Sequence, residues 1–397
     1  MTNPLTNIVE RIKSAANTGT SLRIRGGGTK DFYGQSLQGE ILDTTGLTGI
    51  SSYEPSELVV TVKAGTPLVE LEAVLAEKNQ CLPFEPPHFE KIWGTVAEPI
   101  DILPKFARTQ TSVGGMVAAG LSGPSRASSG GVKDFILGVN MVNGKGEELR
   151  FGGTVMKNVA GYDVSRLMAG SMGTLGLITE VSIKVLPIAP AEATLKFECS
   201  QAEALHMLNA WGAQPLPLNA SCWIREAGAG QGVGSLYVRL RGAVAAVDAA
   251  IKKMGGTLQN ASTGNPTVAA DWQALRNQNM DFFKLLDDEC LWRLSVPDTA
   301  PDMQFGDTLV EWHGAQRWVK LPYSGVASIR SKVNALGGSA TLFLANEAIN
   351  TKAKAENRVA FNPLKAPLYR IHRELKKQFD PAGIFNRDRM FADATVK

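Results

Sequence analysis

Three glycine-rich blocks carry the residue types that bring bare backbone against a phosphate-bearing ligand. The first is Arg25-Gly26-Gly27-Gly28-Thr29-Lys30. The second begins Ser112-Val113-Gly114-Gly115 and continues through Gly120, Ser122 and Gly123. The third holds Gly173, Thr174, Gly176 and Ile178. Successive N–H groups of a glycine turn form a nest for an anion. Glycine is needed there because positive φ and close approach exclude a Cβ. Arg25 and Lys30 add charge beside the first turn.

The first block is neither of the common phosphate fingerprints. The residues after Lys30, Asp31-Phe32-Tyr33-Gly34, do not open a periodic helix, as a dinucleotide-binding βαβ unit requires. The Gly-Lys-Ser/Thr ending of a P-loop is also missing. A ligand approached by backbone at three places is large, and FAD is the expected one. The second block then forms a wall against the isoalloxazine and pyrophosphate. Around Gly173, Gly176 and Ile178 a strand edge reads an adenine through main-chain groups.

The elements that must position these blocks alternate between short strands and helices. Expected helices cover 5–16 and 67–79, the second opened by Pro67 with apolar residues at Leu68, Leu71, Val74 and Leu75. Strands are expected at 21–25, 40–43, 58–63, 135–142 and 177–186. A linker follows at 188–192. Beyond it, helices at 201–211, 243–254 and 268–286 separate strands at 194–198, 235–241, 290–295, 308–321 and 340–345, an α+β pattern. A basic amphipathic helix at 367–379 and a turn at 380–386 close the chain.

The bulk numbers bound the rest. A chain of 397 residues is long for one core, so two domains are expected. With 44% hydrophobic and 20% charged residues it is an ordinary globular composition, not a disordered one. A net charge of +3 without basic runs excludes a nucleic-acid or lipid surface as the main business of the chain. Cys81, Cys199, Cys222 and Cys290 form no C-x-x-C pair, so neither a zinc nor an iron–sulfur site is expected, and a reducing compartment is. The N-terminus lacks a signal-peptide layout, and no apolar run approaches the roughly 18 residues that span a bilayer. A cytoplasmic protein without direct membrane insertion is expected, peripheral on the inner membrane at most through a partner.

The order of the blocks, with Lys157-Asn158-Val159-Ala160-Gly161-Tyr162-Asp163 before the third, resembles the FAD-binding fold of the vanillyl-alcohol oxidase/p-cresol methylhydroxylase superfamily. Within it, Pro83-Phe84-Glu85-Pro86-Pro87-His88, the run from Gly120 to Arg126 and Phe379-Asp380-Pro381-Ala382-Gly383-Ile384-Phe385-Asn386 are similar to the E-subunit family of bacterial glycolate oxidases. The resemblance implies an α+β fold. A two-part PCMH-type FAD-binding domain would occupy 1–190 and an α+β, ferredoxin-like cap 191–350. A C-terminal segment, 351–397, would return to the FAD domain and bring Asn386 to the cofactor. It also implies a multi-subunit enzyme that oxidises glycolate, with D-lactate as a second 2-hydroxy acid. The implied partners are a catalytic flavoprotein D-type subunit and an iron–sulfur F-type subunit. Relatives that tether their flavin through the first loop carry a His beside its glycines. Gly28 and Thr29 stand there, so a non-covalent FAD is expected. Residues 89–109, with Trp93 and Ile100, read as an insertion, either a surface loop or a partner contact.

Oxidising a 2-hydroxy acid at a flavin needs a cation for the carboxylate, a base for the hydroxyl proton and Cα–H over the ring. Catalytic relatives similar to the D subunit hold a histidine cluster, an acid and often a divalent metal. Here the four histidines, His88, His206, His313 and His372, stand at no ligand spacing, so no metal site is expected. Met172 stands where such relatives often have Glu. The single catalytic candidates are Arg293 and His313 in the cap. Three readings follow: a subunit that works only with partners, a self-sufficient FAD-dependent dehydrogenase, and a non-catalytic assembly subunit.

Overall fold

The computed structural model describes residues 3–35, 37–89, 110–153, 163–225, 232–259, 266–286, 289–345 and 359–391. Most of the 89–109 insertion, including Trp93 and Ile100, and residues 156–162 of the Asn-Val-Ala-Gly-Tyr motif lie outside them.

The N-terminal part is built on a five-stranded antiparallel sheet. Its spatial order is Ile50–Glu54, Val59–Lys63, Leu177–Lys184, Ile136–Val142, Glu148–Gly152. The helix Leu68–Ala76 lays Leu68, Leu71 and Leu75 on this sheet with no exposure. Each such burial contributes about 2 kcal/mol. Pro67 stands just before the helix as its cap residue, where its fixed φ suits the entry and no amide is needed. The helix Val113–Ala119 is capped by Ser112, whose hydroxyl accepts from the Gly115 amide, and it buries Val113, Met116 and Val117 in the same core.

A smaller core joins the helix Pro4–Thr18 to a parallel pair of strands, Leu22–Arg25 and Glu40–Asp43. Ile384 and Phe385 complete it, and the chain near its end runs beside Leu22: the Leu22 amide donates to the Ile384 carbonyl at 2.7 Å and the Asn386 amide to the Leu22 carbonyl at 2.9 Å. The lysine of the helix Ala366–Phe379 that faces inward, Lys376, donates to the Thr174 carbonyl at 2.7 Å and to Asp380 at 2.5 Å. Asp380 in turn accepts from the amides of Ile384 and Phe385.

From Ala191 onward the strands form one eight-stranded antiparallel sheet. Its first four strands, Ala191–Ser200, Leu218–Ile224, Val233–Gly242 and Thr257–Leu258, alternate with the helices Gln201–Gly212 and Val244–Met254 in β-α-β-β-α-β order. In space they run fourth, first, third, second, the ferredoxin-like arrangement. The other four, Thr308–Glu311, Gln316–Leu321, Cys290–Ser295 and Ser339–Ala345, repeat that order in mirror sequence across the seam between Leu218–Ile224 and Thr308–Glu311. Both helices of the first half pack on one face; the other face is turned toward the N-terminal part.

Three sequence expectations are modified. The linker expected over 188–192 is cut short, since Ala191 and Glu192 already pair with Gly242 and Arg241 in the strand Ala191–Ser200. The helix expected over 268–286 runs Pro266–Arg276, and Gln278 adopts a positive φ of 51°. The run Asn277-Gln278-Asn279 is polar and favours turns over helix interiors. The strand expected over 308–321 is a hairpin whose turn, Trp312–Gly314, holds Trp312 and His313 at positive φ.

Candidate functional site

A cleft opens where the parallel pair, the helix Val113–Ala119 and the loop before Leu177 meet. It is lined by Arg25, Gly26, Gly27, Gly28, Thr29 and Lys30 from the first block and by Ser112, Gly114 and Gly115 from the second. Gly173, Gly176 and Ile178 of the third block, Asn386, and also Met172 and Arg389 complete it. Four stretches, more than 350 residues apart at the extremes, thus line one cleft. The amides of Gly27, Gly28, Thr29 and Lys30 donate to no acceptor among the described residues. A row of unpaired donors at a glycine turn is what an anion requires.

Close packing as well as ligand approach demands these glycines. A Cβ on Gly27 would strike the Gln110 carbonyl, and Gly28, at φ 74°, would strike the Arg25 guanidinium. The loop before the second block lies directly on the first. Thr29 and Thr111 join their hydroxyls at 3.0 Å across that contact. Arg25 is not a free cation, because its Nε donates to Asp31 at 2.8 Å. Lys30 brings an ammonium to the same cleft. Its ammonium lies 5.6 Å from the Phe89 ring centroid and 3.3 Å from the Thr29 hydroxyl, and desolvation lowers its pKa to about 7.

Asn386 acts as a clasp. Its Oδ1 accepts from the Ile24 amide at 2.8 Å and its Nδ2 donates to the Met172 carbonyl at 2.6 Å, tying the first and third blocks together. Arg389 does the same for the loop after the first block, donating to the carbonyls of Lys30 and Asp31 at 3.0 and 3.1 Å. Five expected contacts fall away from the cleft lining. Val113 is fully buried core, and Gly120 terminates its helix at φ 63°. The Ser122 hydroxyl accepts from the Val132 amide, Gly123 packs on Glu85, and the Thr174 hydroxyl donates to the Ser171 carbonyl.

The cap closes over the cleft with aromatic rings. Phe32 packs on Phe89 and Phe343 at 5.5 and 5.4 Å between centroids, Tyr33 on Phe343 at 5.3 Å, and Trp318 on Phe343 at 4.8 Å. Ala119 and Met172, which line the cleft, pack against this cluster. Arg293 reaches it from the strand Cys290–Ser295, donating to the Tyr33 hydroxyl at 3.1 Å. His313 does not reach it. One ring nitrogen pairs with the Ser221 hydroxyl and the other with Ser128, both at 3.0 Å, so it bridges cap and N-terminal part. Burial lowers its pKa.

Two acids escaped the sequence reading. Glu311 shares the cleft-facing side of the cap sheet with Arg293, by the pairings Glu311 to Gln316 and Arg293 to Trp318. It accepts from Trp318 Nε1 at 2.5 Å and Gln316 Nε2 at 3.0 Å, and burial pushes its carboxyl up to about 7. Glu85 joins the two halves of the molecule. It takes Arg239 at 2.7 Å and Arg241 at 3.1 Å from the cap, and the Ser125 amide at 3.1 Å. These partners hold it at about 2 against its own desolvation. The strand alternation of Leu309 and Glu311 was the one sequence signal for the first; the second lies in the Pro83–His88 run, which does not show where its ion-pair partners come from.

Among the described residues no three His, Cys, Asp or Glu side chains gather as a metal site, and no helix is long and apolar enough to cross a membrane.

The glycine cleft and its unpaired amides have the character of a dinucleotide site, and residues 5–98 match the family described as an FAD binding domain. The chain's backbone superposes on alkyldihydroxyacetonephosphate synthase with a TM-score of 0.63 at 15% identity, over 96% of this chain and 75% of that one. That likeness is one of fold. The class is therefore an FAD-linked oxidoreductase subunit of α+β fold with a large antiparallel cap sheet. Over 97% of its own length and 97% of the other's, the chain is 41% identical to the glycolate oxidase subunit GlcE of Escherichia coli (strain K12). It belongs to the GlcE family. Shorter stretches match a D-lactate dehydrogenase of Anaerostipes hadrus, 34% identical over 38% of this chain and 27% of that one. The glycolate oxidase subunit GlcD of Bacillus subtilis (strain 168) is 36% identical over 21% of this chain and 18% of its own.

Proposed function

We propose that the chain is the FAD-binding subunit of a multi-subunit glycolate oxidase. It oxidises glycolate, and D-lactate as a second substrate, together with a catalytic D-type flavoprotein subunit and an iron–sulfur F-type subunit. The observation that carries this reading is the glycine-lined cleft, where the amides of Gly27 to Lys30 have no acceptor among the described residues, in a chain 41% identical to GlcE along nearly its whole length. Residues 1–190 form the FAD domain, 191–350 the cap, and 351–397 the segment that clasps the cleft.

The FAD is held without a covalent bond, since no His stands beside the first-block glycines. When bound, it supplies a two-electron acceptor. The amides of Gly27, Gly28 and Thr29, with the Lys30 ammonium, receive the pyrophosphate. Ser112, Gly114 and Gly115 let the helix Val113–Ala119 stand close to the ligand. Asn386 and Arg389 hold the blocks in register rather than contributing chemistry. The rings of Phe32, Tyr33, Phe89, Phe343 and Trp318 exclude water from the cap side of the cleft. Arg293 and His313 are engaged in holding the cap, so substrate oxidation falls to the D-type subunit. The chain works at the cytoplasmic side of the inner membrane through its partners.

The test is glycolate-dependent dye reduction by the purified chain, by its partners, and by all three subunits together. The reading expects activity in the assembled enzyme and none in this chain alone. Full activity from this chain alone overturns it.

A further inference from the structure

Between the helix Pro266–Arg276 and the cap sheet lies a cavity of about 680 Å³. Small-molecule sites have volumes of roughly 300–1,000 Å³. Ile224 and Tyr237 reach the cavity from the sheet face opposite Trp223, Leu236 and Val238, which pack with the helices Gln201–Gly212 and Val244–Met254. Trp272 and Leu275 wall it from the helix, and Met280 and Phe282 from the turn that follows. Every lining residue belongs to the cap, and none also lines the cofactor cleft. The cavity is therefore a site of its own.

Its walls suit a flat hydrocarbon body. Trp272 is a fixed platform: its Nε1 donates to the Thr194 hydroxyl at 3.0 Å, and the Arg239 guanidinium lies 4.8 Å from its ring centroid. Arg239 is in turn tied to Glu85 and Asn219, both at 2.7 Å. A ring locked in place before the ligand arrives costs little further order on binding. The charged groups select a sign. Arg225 pairs with Asp307 at 3.8 Å, Asp281 pairs with Lys284 at 2.5 Å, and Asp271 is exposed. Lys320, half-buried on the strand Gln316–Leu321, has its ammonium 5.4 Å from the Phe282 ring centroid and donates to no oxygen among the described residues. An ammonium partly withdrawn from water gains from an anion brought to it, because a charge-assisted hydrogen bond then replaces lost hydration.

We propose that this cavity binds a flat, apolar small molecule carrying one negative group, the class of aromatic carboxylates and sulfonates. Its ring lies against Trp272 and Phe282, and its anionic group meets the Lys320 ammonium. The site goes beyond the subunit reading above and does not depend on it.

The test is fluorescence titration of the purified chain with anilinonaphthalene sulfonate and with phenylnaphthylamine, which has the same rings without the sulfonate. The parent should bind the sulfonate saturably, one per chain. Lys320→Met should weaken the sulfonate about tenfold, the worth of one charge-assisted contact, and leave the neutral probe within about twofold. Val268→Phe puts a ring into the cavity from the helix and should weaken both probes about tenfold. Circular dichroism checks that each variant folds. If Val268→Phe does not, the half-buried Lys320→Met decides the matter alone. Absence of saturable binding to the parent overturns the proposal. Sulfonate binding unchanged in Lys320→Met puts the probe on another surface and overturns it too. An equal loss of both probes in Lys320→Met overturns the anion contact and with it the proposed ligand class. None of these outcomes bears on the subunit reading, which is tested by glycolate-dependent dye reduction.

Discussion

Replacing Glu85 with Gln should loosen the cap from the FAD-binding part by a computable amount. Glu85 is only 14% exposed at its side chain and Arg239 4%, so both charges are largely out of water. Burial alone would raise the carboxyl, yet Arg239 and Arg241 bring it from 4.5 to about 2. That drop corresponds to roughly 3 kcal/mol of folded-state stability at neutral pH. It agrees with the roughly 3–5 kcal/mol measured when one member of a buried pair is removed. Burial lowers Arg239, yet its guanidinium stays charged at any working pH and keeps its pairing with Glu85. Because the folded pKa is depressed, the contribution is complete above pH 4.5 and is lost as pH falls toward 2. At pH 3 it should be about 1.4 kcal/mol by the same linkage. Urea titrations of the parent and Glu85→Gln, followed by tryptophan fluorescence at pH 7 and pH 3, measure the difference. A destabilisation below about 1 kcal/mol at pH 7, or one of equal size at both pH values, would refute the reasoning.

Other expectations follow from single contacts. Gly27→Val drives a side chain into the Gln110 carbonyl and should abolish flavin retention on purification, read from the visible absorbance. FAD affinity should be level below pH 7 and fall by up to tenfold per unit above it. There the Lys30 amine, lowered to about 7, must take up a proton to meet the pyrophosphate. Lys30→Met should bind more weakly and without that slope, as fluorescence titration would reveal. Asp380→Asn removes the charge that Lys376 and two amides share, and should expose the segment after the last helix to limited proteolysis at least tenfold faster.

Much of the fold was legible because its signals are local. The strand Cys290–Ser295 and the helix Ala366–Phe379 stand within one residue of their expected bounds. Apolar periodicity and Pro punctuation suffice for such elements. The glycine blocks announced a backbone-lined site, and thirteen of the eighteen expected contacts line one cleft. The five that do not, such as Val113 and Gly120, belong to the same segments. A motif places a segment at a site but does not tell which face of a helix points inward. Glu85, Glu311 and the aromatic cover were not legible. Glu85 pairs with Arg239 and Phe32 with Phe343 across more than a hundred residues, which no local pattern encodes, while Glu311 takes Gln316 and Trp318 from the other strand of its own hairpin. The hairpin at Trp312–Gly314 was hidden because two of its three positive φ values fall on Trp312 and His313, leaving Gly314 as the single turn residue in an otherwise strand-like run.

The central claim is that this chain holds FAD yet leaves substrate oxidation to a partner. An anaerobic visible spectrum of the chain purified alone, before and after glycolate, tests it most directly. The account predicts an oxidised flavin band that glycolate leaves unchanged and that bleaches only when the partner subunits are added. A band that bleaches with glycolate alone would put the active site in this chain, and a preparation without any flavin band would contradict the cofactor site itself.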